Sequence, residues 1–182
     1  MPDMHPTLDP QLPALADLAL RVATTLRERG QKVAVAESSA GGLVSAALLA
    51  IPGASAYFVG GAVIYTRRAG KALLGLTAED MAGMRGETEP YAALIANRTR
   101  EVHRAMWGIA ESGASGPSPS PYGDVPGRVC LAIAGAQTAV HTVETGLHDR
   151  TVNMDLFARH LLALFDQTLH AQEAPDIFEA AP

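Results

Sequence analysis

KVAVAESSAGGLVSAALLAI, residues 32–51, decides the fold class. Lys32–Ala36 is a short apolar run rich in valine and reads as a buried strand. The segment ESSAGG (37–42) breaks that run with small and hydroxyl-bearing residues. LVSAALLAI then resumes as a helix, which Pro52-Gly53 closes. A strand, a small-residue turn and a helix are the opening of an α/β unit.

The flanking sequence repeats this alternation. Upstream, Leu15, Leu18, Leu20, Val22 and Leu26 fall mostly at helical spacing, and Gly30 ends the run. Downstream, residues 56–65 (AYFVGGAVIY) read as a strand with a close approach at Gly60-Gly61. Residues 66–75 predict a short helix, and TAEDM (77–81) predicts the start of another, capped by Thr77. An amphipathic helix with Pro90 in its first turn is expected over 89–107. A weak strand over 108–111 runs into a loop over 112–127. Residues 128–136 and 138–145 pair as strands, and 149–170 form the last helix. The expected fold is an α/β sandwich with a mixed sheet.

Length and composition set the limits. A chain of 182 residues with 48% hydrophobic content makes one domain with a core large enough to need no disulfide or metal. Residues 12–170 form that domain, between an N-terminal arm (1–11) and an acidic tail (171–182). A net charge of −5 argues against a grip on nucleic acid, which needs a basic face. No apolar run approaches the roughly 20 residues that cross a bilayer. The lone Cys130 points to a reducing compartment and a cytoplasmic location, and it reads as a packing residue. The six histidines are scattered, with no metal-ligand spacing, so no metal is expected.

Ligands of α/β sheets sit beyond the carboxyl ends of strands. Three segments have that placement: ESSAGG, the stretch around Tyr65, and SGASGP (112–117). Their glycines and hydroxyls suit an anionic group such as a phosphate, held at the start of the helix after Gly42. The alternative is that small residues simply let strand and helix pack closely. The residues alone give a pocket but no reaction.

Six motifs in order are more specific: AESSAGGLVSAAL (36–48), IPGASAYFVGGAVIYT (51–66), LLGL (73–76), SGASGP, VPGRVCLAIAG (125–135) and LHDR (147–150). This succession resembles the CinA C-terminal domain family, the competence/damage-inducible proteins and stand-alone nicotinamide-nucleotide amidases. Its patterns have the form AESCTGG, PGSSAYF, TGIAGP and GDR. The resemblance implies a three-layer α/β/α fold and a homodimer. It also implies hydrolysis of the carboxamide of nicotinamide mononucleotide to nicotinic acid mononucleotide and ammonia, without metal or cofactor. On the matching positions Ser55 is the nucleophile, and Ser38 and Ser112 support the oxyanion or hold the substrate. Tyr65 joins this catalytic set, and Gly41, Gly42, Gly116 and Arg150 contact the nucleotide. Ser38, Ser55, Tyr65 and Ser112 are therefore expected around one pocket.

The departures fall on the same site. Gly70 occupies the family's lysine position, and Lys71 lies one residue later, turned by about 100° on a helix. Ser39-Ala40 replaces Cys-Thr, Glu87 and Glu111 stand at apolar positions, and Asp124 replaces a lysine. The candidate bases are then Lys71, Glu111 and Glu87. A Lys71–Glu111 ion pair would hold the lysine charged and spoil it as a base. A nucleotide-binding protein without hydrolysis is the alternative function.

Overall fold

The computed structural model describes residues 12–171. The arm over 1–11 and the tail over 172–182 lie outside the described residues. In chain order the elements are α1 (Leu15–Glu28), β1 (Val33–Glu37), α2 (Leu43–Leu49), β2 (Phe58–Val63) and α3 (Arg67–Leu74). There follow α4 (Glu89–Val102), β3 (Trp107–Ala114), β4 (Arg128–Ala134), β5 (Ala139–Glu144) and α5 (Arg150–Ala171). One turn of 3₁₀ helix, Ala54–Ala56, precedes β2.

The five strands form one mixed sheet in the order β2-β1-β3-β4-β5. β1 pairs in parallel with β2 and β3, and β4 runs antiparallel to both β3 and β5. The carboxyl ends of β1, β2 and β3 therefore share one edge of the sheet. The alternating side chains explain the layers. Val33, Val35, Ile109, Val129, Leu131 and Ile133 face one way, into a core closed by α1, α2 and α5. Ala36, Ala110, Cys130, Ala132 and Ala134 face the other way, beneath α3 and α4. The small residues on this second face let α4 sit close to the sheet. At Gly108 an added Cβ would run into the Ala96 carbonyl of α4. The result is a three-layer α/β/α sandwich.

Four local expectations are corrected. TAEDM forms a turn and no helix: the Thr77 hydroxyl and Asp80 carboxylate satisfy each other and each other's backbone N–H. The helix expected to reach residue 107 stops at Val102, where Arg104 turns left-handed (φ 50°), and Trp107 starts β3 instead. β3 runs on to Ala114 because Gly113 and Ala114 find partners in Val129 and Arg128. Ser112 is thus a strand residue and no part of a loop. The strand expected from residue 56 begins at Phe58.

Candidate functional site

A cavity of about 410 Å³ opens at the carboxyl edge of the parallel strands. Ser38 after β1, Tyr65 after β2, and the 113–122 segment that closes β3 form its walls, together with Arg67, Glu87 and Arg150. Arg150, the first residue of α5, donates to the Gly116 carbonyl at 2.9 Å and to the Tyr65 hydroxyl at 3.4 Å. Both acceptors are neutral. Among the described residues neither Arg150 nor Arg67 has a carboxylate partner, so the rim carries two uncompensated guanidinium charges.

The loop after β1 is held from below by two buried glutamates. Glu37 accepts from the backbone N–H groups of Gly42, Val44 and Ser45 at 2.8–3.0 Å and from the Ser45 hydroxyl at 2.6 Å. Those are the free donors at the start of α2. Glu111, on the neighbouring strand, accepts from the N–H groups of Ser38 and Ala40 and from the Ser39 hydroxyl. Neither glutamate is exposed to solvent. Burial pushes the Glu111 carboxyl up to about 7, against its three donors, which pull it down, with Glu37 adding to the rise.

The expected phosphate cradle at Gly41 and Gly42 is therefore not there. The anion at the start of this helix is the chain's own Glu37, which holds the Gly42 N–H. Gly41 does not line the cavity either, and an added Cβ there would meet the Met154 methyl at 2.8 Å. Gly116 does line it, at φ 90°, and lends its carbonyl to Arg150.

The other wall is the turn before α4. Arg85 grips Asp124 with both nitrogens, at 2.5 and 3.1 Å, and stacks on the Tyr122 ring at 5.3 Å. This pairing fastens the 117–126 loop and holds the Asp124 carboxyl at about 2. Glu87 is fixed through its backbone. Its N–H donates to the Ser112 hydroxyl at 3.1 Å, and its carbonyl accepts from Arg128 at 2.7 Å and from the Cys130 thiol at 3.5 Å. Its side chain lies against Asp124 and Ser120 on the cavity wall, and burial raises its carboxyl above the ordinary range.

Of the expected catalytic set, the structure gathers Ser38 and Tyr65 at the cavity. Ser112 is buried just behind the wall, with its hydroxyl spent on Glu87, and it serves as a brace. Ser55 lies elsewhere. It sits in the exposed 3₁₀ turn before β2, whose first residue, Phe58, pairs with Val33 at the start of β1. Ser38 follows the other end of β1, so the two serines are separated by the strand's length, roughly 13 Å or more. Lys71 is exposed in a second cavity of about 550 Å³ beside Tyr91, away from Glu111. Gly70, at the family's lysine position, is buried against Leu76 and Tyr91. The Lys71–Glu111 ion pair does not form.

Sequence reasoning missed Glu37 and Asn153. Asn153 is fully buried; it donates to the carbonyls of Ser115 and Leu147 at 3.0 and 2.9 Å and accepts from Thr145. It thereby carries the cavity's Ser115–Gly116 wall on α5. A polar residue on an otherwise apolar helix face was the available signal.

The geometry can be set against known proteins. A model of the CinA C-terminal domain matches residues 15–169. The chain belongs to the CinA C-terminal domain family. A CinA-like protein of Synechococcus sp. (strain CC9902) is 41% identical over 120 residues, which is 66% of this chain and 29% of that protein. One from Anaeromyxobacter sp. (strain Fw109-5) is 37% identical over 144 residues, 77% of this chain and 33% of that protein. The chain thus spans about a third of the length of these CinA-like relatives. Among solved structures, a competence/damage-inducible protein of Agrobacterium tumefaciens superposes with a TM-score of 0.79 at 28% identity, covering 89% of this chain and 99% of that one. A CinA superfamily protein of Enterobacter cloacae gives 0.79 at 27% identity, covering 86% and 92%. No helix among the described residues is long and apolar enough to cross a membrane.

Proposed function

We propose that the cavity binds a phosphorylated pyridine nucleotide bearing a carboxamide, of the nicotinamide mononucleotide kind, with its phosphate at Arg150 and Arg67. The observation that carries this reading is the pair of guanidinium groups without carboxylate partners on the rim of a mononucleotide-sized cavity. An arginine fork that already uses one edge on neutral oxygens is pre-ordered to receive an anion on the other. Titration calorimetry with nicotinamide mononucleotide tests it. Binding that weakens at least about tenfold in Arg150→Ala supports the reading, since a charge-assisted hydrogen bond contributes roughly 1.5–3 kcal/mol. An unchanged affinity refutes it.

A second reading, hydrolysis of that carboxamide with water consumed and ammonia released, is favoured by Ser38. Ser38 and Glu87 both line the cavity, and burial raises the Glu87 carboxyl above its ordinary range. A serine needs such a base to give up its proton. A lysine base is not part of this reading, because Lys71 stands outside the cavity. Ammonia release that is lost in Ser38→Ala and kept in Ser55→Ala fits this arrangement. The reverse pattern would make Ser55 the nucleophile, delivered from a second copy of the chain, and sedimentation should then find the homodimer.

A further inference from the structure

Glu87 is held in a conformation that its residue type disfavours. Its φ is 61°, in the left-handed region where side chains are strained. Arg104, the other non-glycine residue with positive φ among the described residues, has an ordinary reason: it follows the last turn of α4 and closes it, donating to the Glu101 carbonyl. Glu87 closes no helix; it stands one residue ahead of the α4 cap, Thr88. Three hydrogen bonds to its backbone, from Ser112 on β3 and from Arg128 and Cys130 on β4, impose the strain.

That strain brings a carboxyl to the cavity wall. Oε2 is buried and has no hydrogen-bond partner, unlike every oxygen of Glu37 and Glu111. A buried acceptor left unsatisfied is costly unless something arrives to use the group. We infer that Glu87 is the specificity residue of this cavity, accepting a hydrogen bond from the carboxamide N–H of the bound nucleotide and disfavouring the corresponding carboxylate. The inference rests on the nucleotide-binding reading above and deepens it. An amide offers two N–H donors, whereas the acid offers only negative oxygens. Asp124 beside Glu87 strengthens the discrimination. Its pairing with Arg85 holds Asp124 well below the usual carboxylate range, so a second acidic group stands next to the site and repels a ligand carboxylate.

The experiment measures affinities for nicotinamide mononucleotide and nicotinic acid mononucleotide in the wild type, Glu87→Gln and Glu87→Gly, with a melting curve for each. The wild type should prefer the amide by about tenfold or more, the size of one hydrogen bond to a charged group. Glu87→Gln offers the cavity a donor as well as an acceptor and should erase most of that preference. Glu87→Gly should erase it too while melting roughly 2–4 °C higher, because glycine relieves the left-handed strain. A residue of purely structural value would lower the melting point on removal. If both nucleotides bind but the variants keep the wild-type ratio, the role of Glu87 is overturned and the cavity assignment stands. If neither nucleotide binds the wild type, the cavity assignment falls and this inference falls with it.

Discussion

The loop after β1 and the turn before α4 each bring glutamate side chains to the same edge of the sheet, and they treat them differently. Beneath the loop, Glu37 on β1 and Glu111 on β3 are fully buried, and their oxygens collect seven donors between them, five backbone N–H groups and two hydroxyls. Nothing is left to offer a ligand. In the turn, Glu87 has its backbone tied three ways and one carboxyl oxygen untied. The saturated carboxylates hold the loop in place, and the unsaturated one belongs to a residue of the cavity wall. The difference separates stability from recognition by residue.

The sharpest way to break that division is Glu111→Ile, which puts back the apolar residue type the family shows. It strands two buried N–H groups and the Ser39 hydroxyl. At roughly 1–3 kcal/mol for each unsatisfied group, the loss should be about 3–9 kcal/mol in urea denaturation. That is a large part of a domain's total stability of about 5–15 kcal/mol. A loss below about 1 kcal/mol would mean the loop does not depend on Glu111.

The pH dependence of stability is the next test. Burial raises the folded Glu111 carboxyl to about 7 from an ordinary 4.5, so the folded protein binds the proton more tightly than the unfolded chain. The contribution is full below about 4.5 and is lost as pH rises through about 7. It amounts to on the order of 3 kcal/mol. Glu111→Gln should flatten this slope, because its carbonyl can still accept from Ser38 and Ala40 while its NH₂ meets the Ser39 hydroxyl. An unchanged slope in Glu111→Gln would assign the dependence to another group.

Asn153→Ala probes the far wall. Losing the donor to the Ser115 and Leu147 carbonyls should cost about 2 kcal/mol and loosen the Ser115–Gly116 segment, weakening ligand binding in the same variant. Stability lost without any change in binding would detach that wall from the site. Arg150→Lys should sit at the other extreme. Stability should stay within about 0.5 kcal/mol, since Arg150 is exposed, while phosphate affinity falls because a single ammonium cannot hold Gly116, Tyr65 and an anion together. A variant that binds as well as the wild type would move the anion site elsewhere.

The layers and most strands were legible in the chain because they depend on local period. VAVAE and RVCLAIA alternate large and small residues, which suits strands covered on both faces, and Thr88 with Pro90 marks a helix start. TAEDM misled because the same Thr–Asp pair that caps a helix also closes a lone turn. The motif order gave the family, and with it Ser38, Tyr65, Gly116 and Arg150 at the cavity. Within one chain Ser55 lies at the opposite end of β1 from Ser38, because the order of motifs does not say which end of a strand each one reaches.

What tertiary structure alone decided was the use of each carboxyl. The β1–β3 register pairs Ala36 with Ala110, and the next step along both strands sets Glu37 beside Glu111 under a loop whose N–H groups they divide. The strain at Glu87 is likewise imposed from Ser112, Arg128 and Cys130, on two strands distant in sequence. Hydrogen-bond saturation depends on contacts between distant segments, and no local pattern in the sequence encodes it. The sequence determined that acidic residues would lie along this edge, and only the assembled sheet determined which of them were left with an oxygen to spare.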